Sequence, residues 1–173
     1  SYSISFRQAE SKLLGEHLGK RQSVNLIGMK RVGISNFLRF FLYRPEIVST
    51  YISATDKHLF IPVDLNDLVE REIYPFWTLT LKRIADTVES SVVPDATKKS
   101  IASLFLTSIQ SQDLFLVIDN VRKALRLIDE SGLYVTLFFL RFDRLQDAFN
   151  PTFFDNLEGL RDATNERLAY VFT

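Results

Sequence analysis

The segment "GMKRVGIS", residues 28 to 35, encloses four residues between two glycines and closes on a serine. Glycines let a backbone curl until successive N–H groups converge on an anion, and a helix that opens there adds the positive end of its dipole. The spacing G-x-x-x-x-G-K-[ST] uses this to cradle phosphates, with lysine bridging the outer ones and the hydroxyl holding Mg²⁺. Here Gly28 and Gly33 keep the turn, Ser35 keeps the hydroxyl, and Ile34 stands where the lysine belongs. Lys30, Arg31 and Asn36 complete the set of candidate phosphate contacts, and Ser35 is a candidate Mg²⁺ ligand. The competing reading is a tight strand-to-helix turn that holds nothing.

Other chemistries lack residues. With no cysteine, neither a disulfide framework nor a thiolate metal site can form. His17 and His58 stand too far apart for metal-ligand spacing and read as surface or capping residues. The acid pairs Asp129–Glu130 and Asp162–Glu166 read as solvated helix faces. A balance of 21 basic against 21 acidic residues gives no general attraction to nucleic acid, which is a disfavoured partner. The apolar run "LYVTLFFL" is too short to span a bilayer, and no basic start precedes an apolar core, so a cytoplasmic protein without a membrane partner is expected.

One domain over residues 1–173 must position the loop. "SVNLIG" (23 to 28) suits a buried strand, and Ile34, Phe37, Leu38, Phe41 and Leu42 recur at helical spacing after it. "HLFIPVDLN" (58 to 66) reads as a second strand. Pro62 cannot donate to a ladder, which sends that strand to the rim. Helices are expected over 68 to 90 and 97 to 109, the second capped by Thr97. From Leu114 to Ile128 an apolar stripe at helical spacing predicts a third helix stopped by Gly132. "LYVTLFFL" (133 to 140) has no polar face and predicts a central strand; another amphipathic helix and the strand "LAYVFT" follow. Strands alternating with helices predict a parallel α/β sheet. Among fifteen phenylalanines, Phe138, Phe139, Phe153 and Phe154 are expected in the core, while Phe76 and Trp77 beside Pro75 offer an exposed patch for a partner.

On these residues the chain resembles the P-loop ATPases of the AAA+ and STAND type, whose loop reads like G-P-R-R-x-G-K-[ST]. "GMKRVGISNFLR" aligns without a gap, with Lys30 and Arg31 over the two basic positions. "FRQAESKLLGEHL" is similar to the family's opening F-x-G-R-E-x-E-L and keeps Phe6, Glu10 and Leu13, with Ala9 for the arginine and Lys12 for the second glutamate. "YVTLFFLRFDRL" is similar to the Walker B strand that ends in D-E-F-D-x-L. Phe142, Asp143 and Leu145 match the last places, which puts Leu140 and Arg141 where the Mg²⁺-holding Asp and water-activating Glu belong. A second alignment ends the Walker B strand at "LFLVIDN", making Asp119 a candidate metal ligand with Asn120 in the glutamate's place. Asp64, ending the second strand, matches a polar residue these ATPases carry there, or is a turn acid.

The resemblance implies a three-layer P-loop NTPase-like sheet with helices on both faces, ending after the fourth strand, with ATP or ADP and Mg²⁺ as cofactors. Phosphoryl transfer depends on positioned charge, so losing lysine and both acids together leaves little hydrolysis. Backbone amides survive, and Lys30, Arg31 or Arg141 can still supply positive charge. The expected function is a nucleotide-binding switch or regulatory module. The alternatives are a nucleotide-free interaction scaffold and an active ATPase that uses Asp119. Because "RLAYVFT" ends the chain on a strand, it reads as the N-terminal part of a larger protein. A protein partner or C-terminal domains are then expected to cover the edge of the first strand.

Overall fold

The computed structural model describes Val24–Asn25 and residues 58–148 and 150–173. Its sheet contains β1 (Val24–Asn25), β2 (His58–Asp64), β3 (Tyr134–Leu140) and β4 (Leu168–Phe172), in the spatial order β1-β4-β3-β2 with every pairing parallel. The expected α/β class and parallel sheet are therefore present. Among the described strands β3 lies inside and β2 at the rim, the place that suits Pro62. Asp64 pairs with Leu140, and Phe139 with Phe172, so these strands end together at one carboxyl edge.

Four helices are described: α1 (Ile73–Glu89), α2 (Asp95–Ser111), α3 (Leu114–Glu130) and α4 (Pro151–Ala163). Pro75 fixes the start of α1. A helix running from residue 68 would bury proline in its interior, where the missing N–H and the ring clash are costly, so 68 to 72 stay irregular. α2 begins earlier than expected, with Pro94 rather than Thr97 at its N-cap and Asp95 facing the positive end of the dipole. α3 stops where glycine predicts. Gly132 takes φ 84°, its N–H reaches the Asp129 carbonyl at 2.9 Å and that of Leu133 reaches Ile128 at 3.4 Å, closing a Schellman motif. Asn150 caps α4 by accepting from the Phe153 N–H at 2.8 Å.

Alternation along the strands divides the sheet's two faces. Leu59, Ile61, Val63, Val135, Leu137, Phe139, Leu168 and Tyr170 join the core built with Trp77, Ile84, Val121 and Leu125 of the helices. The other face carries Thr136, Phe138, Ala169 and Val171, also buried.

Several expectations change here. Phe76 and Trp77 are both 0% exposed, so they form core rather than a partner patch. Their rings lie 5.1 Å apart edge to face, and Phe76 also meets Phe139 and Phe153, each at 5.2 Å. Conversely Phe154, expected inside, is 46% exposed. Asp129 is buried rather than solvated. It pairs with Arg167 at 2.6 Å and accepts from Asn165 at 3.3 Å, tying the end of α3 to the turn before β4. His58 opens β2 half-buried, its ring stacked 5.9 Å from Phe60. His17 lies outside the described residues.

Candidate functional site

In open α/β sheets ligands bind outside the carboxyl ends of the strands. At that edge the chain leaves β3 through Arg141, whose φ of 60° is left-handed. A non-glycine residue there costs roughly 1–2 kcal/mol. The bend is held from β4: the Arg141 N–H donates to the Thr173 hydroxyl at 3.1 Å, and that of Phe142 to the Thr173 carbonyl at 2.9 Å. The Arg141 guanidinium turns to Asp143 at 3.4 Å, and Arg144 donates to the Asn66 side chain at 3.1 Å. Asp64 accepts from the Asn66 N–H at 2.9 Å and caps the short turn Leu65–Asp67, so it acts as a turn acid. Asp67 in turn pairs with Arg83 of α1 at 3.1 Å.

The structure thus brings Leu140 and Arg141 to the end of the central strand beside Asp64, with no carboxylate at either aligned Walker B position. Thr173, Asn66 and Arg144 join the edge without having been singled out. Only tertiary pairing selects them, since none belongs to a spaced motif. Gly28, Lys30, Arg31, Gly33, Ile34, Ser35 and Asn36 lie outside the described residues. Asn25, three positions before Gly28, is paired with Phe172 at this same edge.

The second Walker B alignment is corrected. "LFLVIDN" lies on α3, not on a strand, because its apolar residues recur every three to four positions and Val117 and Val121 seat one stripe in the core. Asp119 has an 18% exposed side chain that pairs with Arg122 and, at 3.2 Å, with Lys123. Burial pushes its carboxyl up, yet the hydrogen bonds and charges of Lys123 and Arg122 win and hold it below the usual aspartate value. A depressed folded-state value gives stability that is complete above about pH 4 and is lost as pH falls through it. Asp119→Asn is therefore expected to cost less than about 1 kcal/mol at neutral pH. Melting curves should show that gap closing as the pH falls below the usual aspartate value.

Asn120, aligned with the glutamate in that same reading, has a structural job. It is buried, and its amide donates to the Ser108 hydroxyl at 2.9 Å and the Leu104 carbonyl at 3.2 Å. Tyr74 of α1 donates to the Ser108 carbonyl at 2.9 Å, so one polar knot joins α1, α2 and α3. Asn120→Ala should cost about 1–3 kcal/mol by denaturant melting, because its buried partners lose their donor. Tyr170 is equally structural: burial, then the charge of Glu158, raise its phenol well above the ordinary value despite Arg161, and it donates to the Leu157 carbonyl.

Among the described residues no group of histidine, cysteine, aspartate and glutamate is arranged to hold a metal ion, and no helix is long and apolar enough to cross a membrane. No protein-family model, curated protein or solved structure matches the chain.

Proposed function

We propose that this chain is a degenerate P-loop ATPase-like domain of the AAA+ and STAND type, acting as a nucleotide-binding switch with little or no hydrolysis. The observation that carries the reading is the strand order β1-β4-β3-β2 in an all-parallel sheet. It supports the family's placement of the second strand at the rim, and it joins β1, which leads into "GMKRVGIS", to the carboxyl edge where β3 ends in Leu140 and Arg141. The buried side chains of Thr136, Phe138, Ala169 and Val171, on the face away from α1–α4, support a second covering layer. ATP or ADP with Mg²⁺ would meet the backbone amides of residues 28–35, the Ser35 hydroxyl and the cations Lys30 and Arg31. With Leu140 and Arg141 in place of both acids, neither aligned position offers a side-chain carboxylate to hold Mg²⁺ or orient water.

Heat-melting with ATP and Mg²⁺ tests the reading. A ligand at a hundred times its dissociation constant adds about 2.7 kcal/mol, which for a chain of this size raises Tm by roughly 5–10 °C. No shift at millimolar nucleotide would sink it. A nucleotide-free scaffold, the second reading, would then stand, and the observation favouring it is Arg141 turned onto Asp143 at the place a catalytic acid would occupy.

A further inference from the structure

We propose that the outer face of the α2–α3 hairpin docks an acidic amphipathic helix of a protein partner. α2 packs on α1 and α3 rather than on the sheet, and Ile101 and Ser108 are its only fully buried residues. Between it and α3 runs an open trough of about 610 Å³, lined from α2 by Lys99, Ser103 and Leu104 and from α3 by Lys123, Arg126 and Leu127. The two leucines, half-buried against the core, make an apolar floor. Three cations line the same trough, and Glu130 is the single carboxylate among its described lining residues. Lys99 and Arg126 enter no ion pair among the described residues, whereas Lys123 is shared with Asp119.

Helical geometry extends this basic end into an apolar one. Lys99 and Leu106 lie seven residues apart on α2, and Phe115 and Arg126 eleven apart on α3, both close to whole numbers of turns. Each pair therefore shares one side of its helix, about 10 Å apart on α2 and about 17 Å apart on α3. Leu106 is 58% and Phe115 80% exposed. Because α2 and α3 are joined by Gln112 and Asp113 alone, the helices run back along each other. Both exposed apolar side chains thus sit toward the turn and the cations toward the open end.

A concave trough with an apolar floor takes the ridge of a helix, two to three turns long, with apolar residues at one end and carboxylates at the other. Charge complementarity then selects an acidic segment. A flat anionic bilayer fits less well, since Glu130 and Asp119 would face its headgroups. A phosphate chain would find nothing to bond on the leucine floor.

The test is fluorescence anisotropy of the whole chain with a labelled amphipathic peptide of leucine, alanine and glutamate. Saturable binding is expected that weakens with salt. Lys99→Glu combined with Arg126→Glu should weaken it by about tenfold or more, and so should Phe115→Ser alone. Unchanged melting curves for these exposed positions would establish that the variants are folded. Absence of saturable binding, or an affinity indifferent to the charge reversals, would overturn the proposal. Tighter binding to phosphatidylserine vesicles or to a single-stranded oligonucleotide than to the peptide would overturn it too, and would reassign the face.

Discussion

ATP turnover is expected to stay at background in the parent chain and in Ile34→Lys, and to rise at least ~10²-fold only when Leu140→Asp and Arg141→Glu are added to Ile34→Lys. Lysine at position 34 supplies the charge that bridges the outer phosphates, so the single change should tighten nucleotide binding, measurable by calorimetry. Hydrolysis needs more: Mg²⁺ must be held and water oriented at the end of β3. There Leu140 offers no oxygen and Arg141 carries the wrong sign. Groups that act as a unit do not contribute additively, so each carboxylate alone should recover little. Glutamate at position 141 inherits the left-handed backbone already imposed on arginine, so the exchange adds no new strain of that kind. Brisk turnover from Ile34→Lys alone would show that the catalytic acids lie elsewhere in the chain.

Phe76→Ala should produce the largest loss of stability, about 3–5 kcal/mol, the usual range for deleting a buried aromatic ring. Phe76 is fully buried where α1, β3 and α4 meet, touching Trp77, Phe139 and Phe153. Three large rings around one vacancy cannot collapse into it without leaving their rotamers, so a cavity should persist. Thermal melting should show a fall of roughly 6–20 °C. Phe154→Ala, next to the cluster but half in solvent, should cost under about 1 kcal/mol. Equal losses at both positions would mean that this ring cluster is not the packing centre.

Strand and helix identities were legible wherever pattern and chemistry agreed. "LYVTLFFL", apolar on both faces, could only be a central strand, and Pro62 marked β2 for the rim. Gly132 announced the end of α3 through the left-handed turn that a glycine makes cheaply. Which side of α1 faces inward was less legible: Phe76 and Trp77 follow Pro75, and the pattern that gave a helix over 68 to 90 did not show that this proline belongs to its first turn. Asp129 misled for a different reason. Its neighbour Glu130 is exposed, and only the return of Arg167 and Asn165 through the tertiary fold makes its burial tolerable. At the candidate site, the end of the central strand at Leu140 could be placed from sequence. The closure of the edge by Thr173, Arg144 and Asn66 could not, since those partners come from separate strand ends.

The pairing of Val24 with Val171 has a consequence for the order of assembly. Among the described residues β1 has β4 as its only neighbour, and that contact spans almost the whole chain. Loop closure over such a separation is entropically expensive and raises contact order, so it should come late. The α1–α3 region, whose helix-to-helix contacts are local, can form beforehand and offer β3 a surface. During synthesis β1 would wait for β4, its neighbour among the described residues, until residues 168–172 had been made. Refolding is therefore expected to be limited by β1 joining β4, and mutations at Ile101, whose contacts are already made at that step, should retard folding more than mutations of equal cost at Val171, which should mainly speed unfolding.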